Sequence, residues 1–279
     1  VRRFVLLTVL ATALLGAASA RAETTLYVGD TDDYAITFKA EEAGLYVLEL
    51  AADTECFFTE PREAVGPGGF SSFAEPFLMQ SGPEGLTTGI PGGLGQLRAE
   101  QSGDAITGSF YLHQIVEEGF HCDTGPNRTF QAARYLPFGS GGAPASGERP
   151  VYYGKDESTE TFMRMIGDKV GGLRGTFVPR CRIGRGRKIQ AGHSLFPGPS
   201  DFTELGEGGS FEAVAFARGG IHRNARFKER ISFSGTVAGD AVTGTYLRVR
   251  TVRPPHGAKH RCVTGPLPFR AIRYLPAGG

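Results

Sequence analysis

What most limits the fold of this chain is that much of it is written twice. Ser102-Gly-Asp-Ala-Ile-Thr-Gly-Ser-Phe110 returns as Ala238-Gly-Asp-Ala-Val-Thr-Gly-Thr-Tyr246. Cys122-Asp-Thr-Gly-Pro126 returns as Cys262-Val-Thr-Gly-Pro266, and Arg134-Tyr-Leu-Pro137 as Arg273-Tyr-Leu-Pro276. Order and near-equal spacing are kept, which a tandem duplication explains better than chance. The first cysteines are also in register, since Gly29 precedes Cys56 by the same interval as Gly154 precedes Cys181.

The chain begins Val1-Arg-Arg3, followed by an apolar run over Phe4–Leu15 broken only by Thr8 and Thr12. Ala18-Ser-Ala20 and Ala20-Arg-Ala22 both fit a small-residue cleavage site, so residues 1–22 read as a secretory signal peptide. The run is shorter than the roughly 20 residues of a membrane span, and no later stretch approaches that length. The expected location is therefore secreted or in a bacterial cell envelope, with no transmembrane segment left after cleavage. Export permits disulfides, and the four cysteines fall two per copy. Four cysteines allow three pairings; duplication favours Cys56–Cys122 and Cys181–Cys262. No C-x-x-C spacing points to zinc.

The pattern within each copy has a period of two. Ile231, Phe233, Gly235 and Val237 alternate with Ser232, Ser234 and Thr236; Gly239-Asp240 reads as a tight turn, and Val242, Gly244 and Tyr246 resume the alternation. Ile106, Gly108 and Phe110 take the same places after Gly103-Asp104. Further strands are expected at Tyr34–Lys39, Leu45–Ala51, Phe130–Tyr135, Thr159–Met165, Val170–Val178 and Phe269–Tyr274, with no sustained helical period anywhere. The expected class is all-β: two tandem antiparallel domains, each a β-sandwich or partly closed β-barrel with one disulfide. Residues 23–137 form copy one and 151–279 copy two, joined by a Gly/Ser/Pro-rich linker at 138–150. Each copy, carrying its own strands and bond, is expected to fold alone. The Gly/Pro-rich passages Pro61–Gly95 and Gly184–Gly209 read as long loops whose phenylalanines fold back on the core.

Charge separates the copies. The whole chain holds 30 Lys and Arg against 29 Asp and Glu, yet residues 23–137 carry 18 acids and 5 bases, and residues 151–279 carry 10 acids and 21 bases. Either the halves dock, or copy two meets a polyanion, or the surfaces simply diverged. Arg248 and Arg250 alternate with Leu247 and Val249, and Arg180 and Arg182 flank Cys181. A Cys181–Cys262 bond would bring Lys259 and Arg261 beside them. These six residues, Arg180, Arg182, Arg248, Arg250, Lys259 and Arg261, are the candidate anion-binding set.

Catalytic signatures are lacking. Gly192-His-Ser194 is not a G-x-S-x-G elbow, and no strand–turn–helix is expected around it. His256 and His260 are not placed on one helical face, so no metal site is assigned to them. Asp30-Thr-Asp-Asp33 with Glu41 and Glu42 lacks the ligand spacing of an EF-hand and reads as a solvated acidic loop. No cofactor is expected.

The Tyr27-Val-Gly29 start (Tyr153-Gly154 in shorter form), the spaced Cys, the Phe-Ser-Gly-Thr hairpin of copy two with its Gly-Asp turn, and the closing Cys-x-Thr-Gly before an aromatic strand resemble a domain of exported bacterial proteins. Copy two fits that pattern better than copy one. The resemblance implies fold and export, and no activity. The expected function is a non-catalytic exported binding protein whose copy two faces an anionic polymer or an acidic protein surface. The alternatives are a structural module that pairs acidic and basic halves within a chain or by self-association, and a secreted hydrolase with a site in its loops.

Overall fold

The computed structural model describes residues 24–277 except 32–33, 60–61, 72–76, 83–84, 91–94, 118, 140–148, 156–158, 178–179, 184–186, 191–193, 196–202, 222–224, 255, 257–258 and 264–265. Residues 1–22, expected to be a signal peptide, and 140–148 at the centre of the expected linker lie outside the described residues. In the first half the strands are β1 (Thr25–Asp30), β2 (Tyr34–Glu41), β3 (Gly44–Thr59), β4 (Arg62–Ser71), β5 (Phe77–Leu78), β6 (Gln80–Gly82), β7 (Gly85–Ile90), β8 (Gly95–Ser102), β9 (Ala105–Glu117), β10 (Phe120–Asp123) and β11 (Arg128–Pro137). In the second they are β12 (Val151–Lys155), β13 (Thr159–Ile166), β14 (Lys169–Phe177), β15 (Arg180–Ile183), β16 (Arg187–Gln190), β17 (Ser194–Leu195), β18 (Thr203–Glu204), β19 (Ser210–Ile221), β20 (Ala225–Ala238), β21 (Ala241–Arg253), β22 (His260–Val263) and β23 (Leu267–Pro276). Every ladder is antiparallel, and the strands belong to one sheet. The all-β expectation holds, but the two Gly/Pro-rich passages are not loops: one contains β4 to β7 and the other β16 to β18.

The ladders of the first half close on themselves. Strand β1 pairs with β2, β2 with β3, β3 with β5, β6 with β7, β7 with β8, β8 with β9, β9 with β11 and β11 with β1. Met79 N–H donates to the Leu45 carbonyl at 2.9 Å and carries the β3 pairing from β5 towards β6. A closed ring has no open edges, and period-two alternation sends Ile36, Phe38, Val47, Leu97, Ile106, Phe110 and Phe130 into one apolar core. The second half repeats the plan through β12, β13, β14, β18, β19, β20, β21 and β23. Its ladders run from β18 through β14, β13, β12, β23, β21 and β20 to β19. Its core holds Tyr152, Met163, Phe211, Phe233, Tyr246 and Phe269.

The duplicated motifs are structural joints. Each Gly-Asp turn is clasped by the Arg of the Arg-Tyr-Leu-Pro segment. The Arg134 guanidinium meets Asp104 at 2.9 Å, and Arg273 meets Asp240 at 3.7 Å. Gly108 and Gly244 are glycines because of close approach: a Cβ there would lie 2.0 Å from the Arg98 carbonyl oxygen or 2.3 Å from that of Ser234, and under 3 Å from the Phe130 or Phe269 ring. No bulge interrupts either ladder at these residues. Gly29 and Gly154 face the Gln131 and Arg270 carbonyl oxygens in the same way, at 2.3 and 1.8 Å. The full counterpart of Tyr27-Val-Gly29 is thus Tyr152-Tyr-Gly154. In each, the first Tyr enters its own core while Val28 and Tyr153 point outward to a third cluster.

That third cluster joins the halves. The two Arg-Tyr-Leu-Pro segments pair with each other, Tyr135 opposite Pro276, Leu136 opposite Leu275 and Pro137 opposite Tyr274, so a local two-fold axis passes between the leucines. The hydrogen bonds beyond it match as well: Phe138 N–H donates to Arg273 O and Ala277 N–H to Arg134 O, both at 2.8 Å. Leu26, Val28, Leu48 and Tyr135 pack with Val151, Tyr153, Phe162 and Tyr274. Buried ion pairs cross the same seam. Arg164 Nη2 donates to Glu49 Oε1 at 3.2 Å with both side chains almost fully enclosed (2% and 0% exposed), and Lys39 pairs with Glu160. Lys39 and Arg164 occupy equivalent places in β2 and β13, so each half reaches into the other with one buried cation.

Candidate functional site

Beyond each ring, some strands run on as an extension. In the first half β4, β3, β10 and the end of β9 form it; in the second, β19, β20, β21, β22, β15 and β16 do. The disulfides hold these extensions. Cys56 and Cys122 stand directly opposite on β3 and β10 and are bonded. Cys262 is also disulfide-bonded, and Cys181 stands opposite it in the β15–β22 register.

Alternation gives the second extension two distinct faces. One continues the ring interior and carries Ile231, Glu229 and Phe227 on β20, with Arg248 and Arg250 opposite them on β21. Arg248 is 7% exposed and is ion-paired to Glu229. The Arg250 guanidinium lies 4.6 Å from the Phe227 ring centre, a cation–π contact. Both arginines are therefore on one side, as their spacing predicts, but that side is largely covered.

The other face is open and basic. Arg226, Lys228 and Arg230 on β20, Arg253 on β21 and Arg261 on β22 are all exposed. Arg226 stands opposite Arg253, while Lys228, Thr251 and Arg261 form one row across three strands. Arg182 continues the row at the β15 position opposite Arg261, described through its backbone, as is Arg180. Lys259 is exposed at the entry to β22. The sequence-derived set is thus divided: Arg261 and the register position of Arg182 belong to the open face, Lys259 lies at its border, and Arg248 and Arg250 lie beneath. Arg226, Lys228, Arg230 and Arg253 were missed as site members. Three precede the Gly-Asp turn with the right alternation, which was the available signal. Between Val214 and Ser232 at one end and Arg253 and Arg261 at the other, no carboxylate stands among the described residues of this face.

The equivalent face of the first extension has the opposite character. Asp53 and Glu55 are exposed there, with Asp123 beside them. Across β9, β10 and β3 the rings of Tyr111, His113, His121 and Phe57 stack in series, and the facing His113 and His121 nitrogens are 3.3 Å apart. Glu55 corresponds to Arg180, Phe57 to Arg182, His121 to Arg261 and Asp123 to Val263. Part of the charge difference between the halves is therefore written at matched positions of one repeated surface.

Glu41, read as part of an acidic loop, is instead bonded at 2.7 Å to Lys155 and at 3.2 Å to Lys39. Partial burial pushes its carboxyl up, but the bonds and charges of Lys155 and Lys39 hold it below its ordinary value. Ser194 lies on β17 opposite Gly175, and the Gly192-His193 part of its motif is outside the described residues. An open groove of about 600 Å³ on the second ring is lined by Glu204, Ser210, Glu212, Ser234 and Thr245. Ser234 and Thr245 bond to each other at 3.1 Å, and among the described residues no histidine or cysteine lines the groove to activate a hydroxyl. Compared with protein-family models, curated proteins and solved structures, the chain matches none.

Proposed function

We propose that this is an exported, non-catalytic binding protein whose second half offers its basic face to an anionic ligand or polymer. The observation that carries this reading is Arg226 opposite Arg253 on an exposed face, beside Lys228, Arg230 and Arg261. Like charges directly opposite on neighbouring strands are destabilising, and a multivalent anion relieves that repulsion. The test is retention of the full chain on immobilised heparin as salt is raised, against an Arg226→Gln/Arg253→Gln variant. The parent should bind at low salt and release earlier in the variant; failure of the parent to bind at low salt overturns the reading.

A second reading, a module whose acidic and basic halves pair, is supported by Glu49–Arg164 and Glu41–Lys155, where the first half supplies the acid. Lys39–Glu160 runs the other way, so the pairing is reciprocal and does not use up the basic face.

A further inference from the structure

The basic face carries one side chain for which a soluble polyanion has no use. Strand β19 alternates as a half-buried strand should: Phe211 and Ala213 are buried, while Glu212 and Val214 are exposed. At the next described outward position stands Phe216, 74% exposed, opposite Arg230 in the β19–β20 register. Val214 and Val263, each more than a third exposed, share that face. A large ring in water costs hydration free energy, and here it sits inside a field of cations. This combination suits the boundary of a lipid layer, where the ring enters the acyl edge while guanidinium and ammonium groups meet anionic headgroups.

Resting on the basic-face reading, we infer that this face docks on an anionic phospholipid surface, with Phe216 as the inserting group and Arg226, Lys228, Arg230, Arg253 and Arg261 as the headgroup contacts. Sulfated or phosphorylated polymers in solution attract the same cations but leave Phe216 in water. That difference separates the two ligands.

The chain contains no Trp, so Phe216→Trp places a single indole reporter in an exposed position. The experiment mixes the full chain with vesicles of phosphatidylcholine alone, with vesicles of phosphatidylcholine and phosphatidylglycerol in equal parts, and with soluble heparin. Phe216→Trp emission should move to shorter wavelength on the anionic vesicles only. Phe216→Ser should lower vesicle partitioning about tenfold and leave heparin affinity as in the parent. Arg226→Gln/Arg253→Gln should lower partitioning roughly 30-fold and weaken heparin binding too. All three changes are at exposed positions, and circular dichroism checks that each variant is folded. Unshifted emission at saturating vesicle, or equal partitioning of Phe216→Ser and parent, with heparin binding intact, overturns the lipid assignment alone. If the parent binds neither vesicle nor heparin, the basic-face reading falls with it.

Discussion

Arg164→Ala would leave the Glu49 carboxylate enclosed at the seam, with the Thr37 hydroxyl at 3.3 Å still donating to it and the Arg164 guanidinium gone. Removing one member of a buried pair costs about 3–5 kcal/mol, because the surviving charge is desolvated without compensation. For a chain of this size 1 kcal/mol corresponds to about 2–4 °C, so the melting temperature should fall by on the order of 10 °C. A double replacement, Arg164→Leu with Glu49→Leu, removes both charges and puts apolar side chains in their place. It should recover most of the loss, since apolar replacement of a buried pair is often neutral or better. The assay is thermal and urea unfolding of the parent, Arg164→Leu, Glu49→Leu and the double, read as a mutant cycle, with Arg164→Ala measured alongside. If Arg164→Ala costs under about 1 kcal/mol, the charges are solvated and the seam is not closed as described. A double variant as unstable as the sum of the singles would refute the coupling itself.

Loss of the Cys56–Cys122 bond, which closes a 66-residue separation, should cost about 4 kcal/mol in the chain-entropy account, measured by urea unfolding of a Cys56→Ser/Cys122→Ser variant against the parent. Non-reducing peptide mapping should place the Cys262 bond on Cys181; a bond crossing residues 138–150 would contradict the repeat. Gly108→Ala or Gly244→Ala should destabilise by about 2 kcal/mol or more, because the new methyl meets a backbone oxygen that cannot move aside. Isolated 151–279 would expose Val151, Tyr153, Phe162 and Tyr274, so it should unfold at a lower temperature than the full chain or self-associate, detected by calorimetry and sedimentation. Stability against pH should fall at both ends. Glu41 has a lowered pKa, so its contribution is present above the ordinary value of 4.5 and lost as pH falls through the lowered value. Lys155, raised by the bond it donates to Glu41, and Tyr153, raised chiefly by burial, contribute fully below 10.5 and 10.0 and lose that contribution as pH rises through their raised values. Urea midpoints across pH 3 to 12 check both signs.

Local pattern made the strands legible. Period-two alternation marked the hairpins around Gly103-Asp104 and Gly239-Asp240, and the repeat marked which positions were equivalent. Gly108 and Gly244 sit inside strands, where a glycine marks either a bulge or a close backbone approach, and only the structure decides for the approach. Sequence did not reveal that β4 to β7 lie within a Gly/Pro-rich passage, because β5 to β7 are short and gain their stability from neighbours in the ring, while β4 gains its from pairing with β3 in the extension. Nor could it reveal the seam: Lys39, Glu49, Glu160 and Arg164 look like surface charges on alternating strands, and only the packing of two outer faces buries them. At the basic face, clustering of charge was visible, but burial was not. Arg248 and Arg250 alternate as usefully as Arg226 and Arg230 do, and what distinguishes them is Glu229 and Phe227 on the neighbouring strand.

The pairing of the two Arg-Tyr-Leu-Pro segments about Leu136 and Leu275 has a genetic consequence. In a dimer of identical chains every substitution appears twice, so a face cannot gain positive charge without its mate gaining it as well. Two such units carried on one chain escape that constraint while keeping the same symmetric junction. Glu55 and Arg180, or His121 and Arg261, can then differ, and matched positions of one surface design carry different charge within a single molecule.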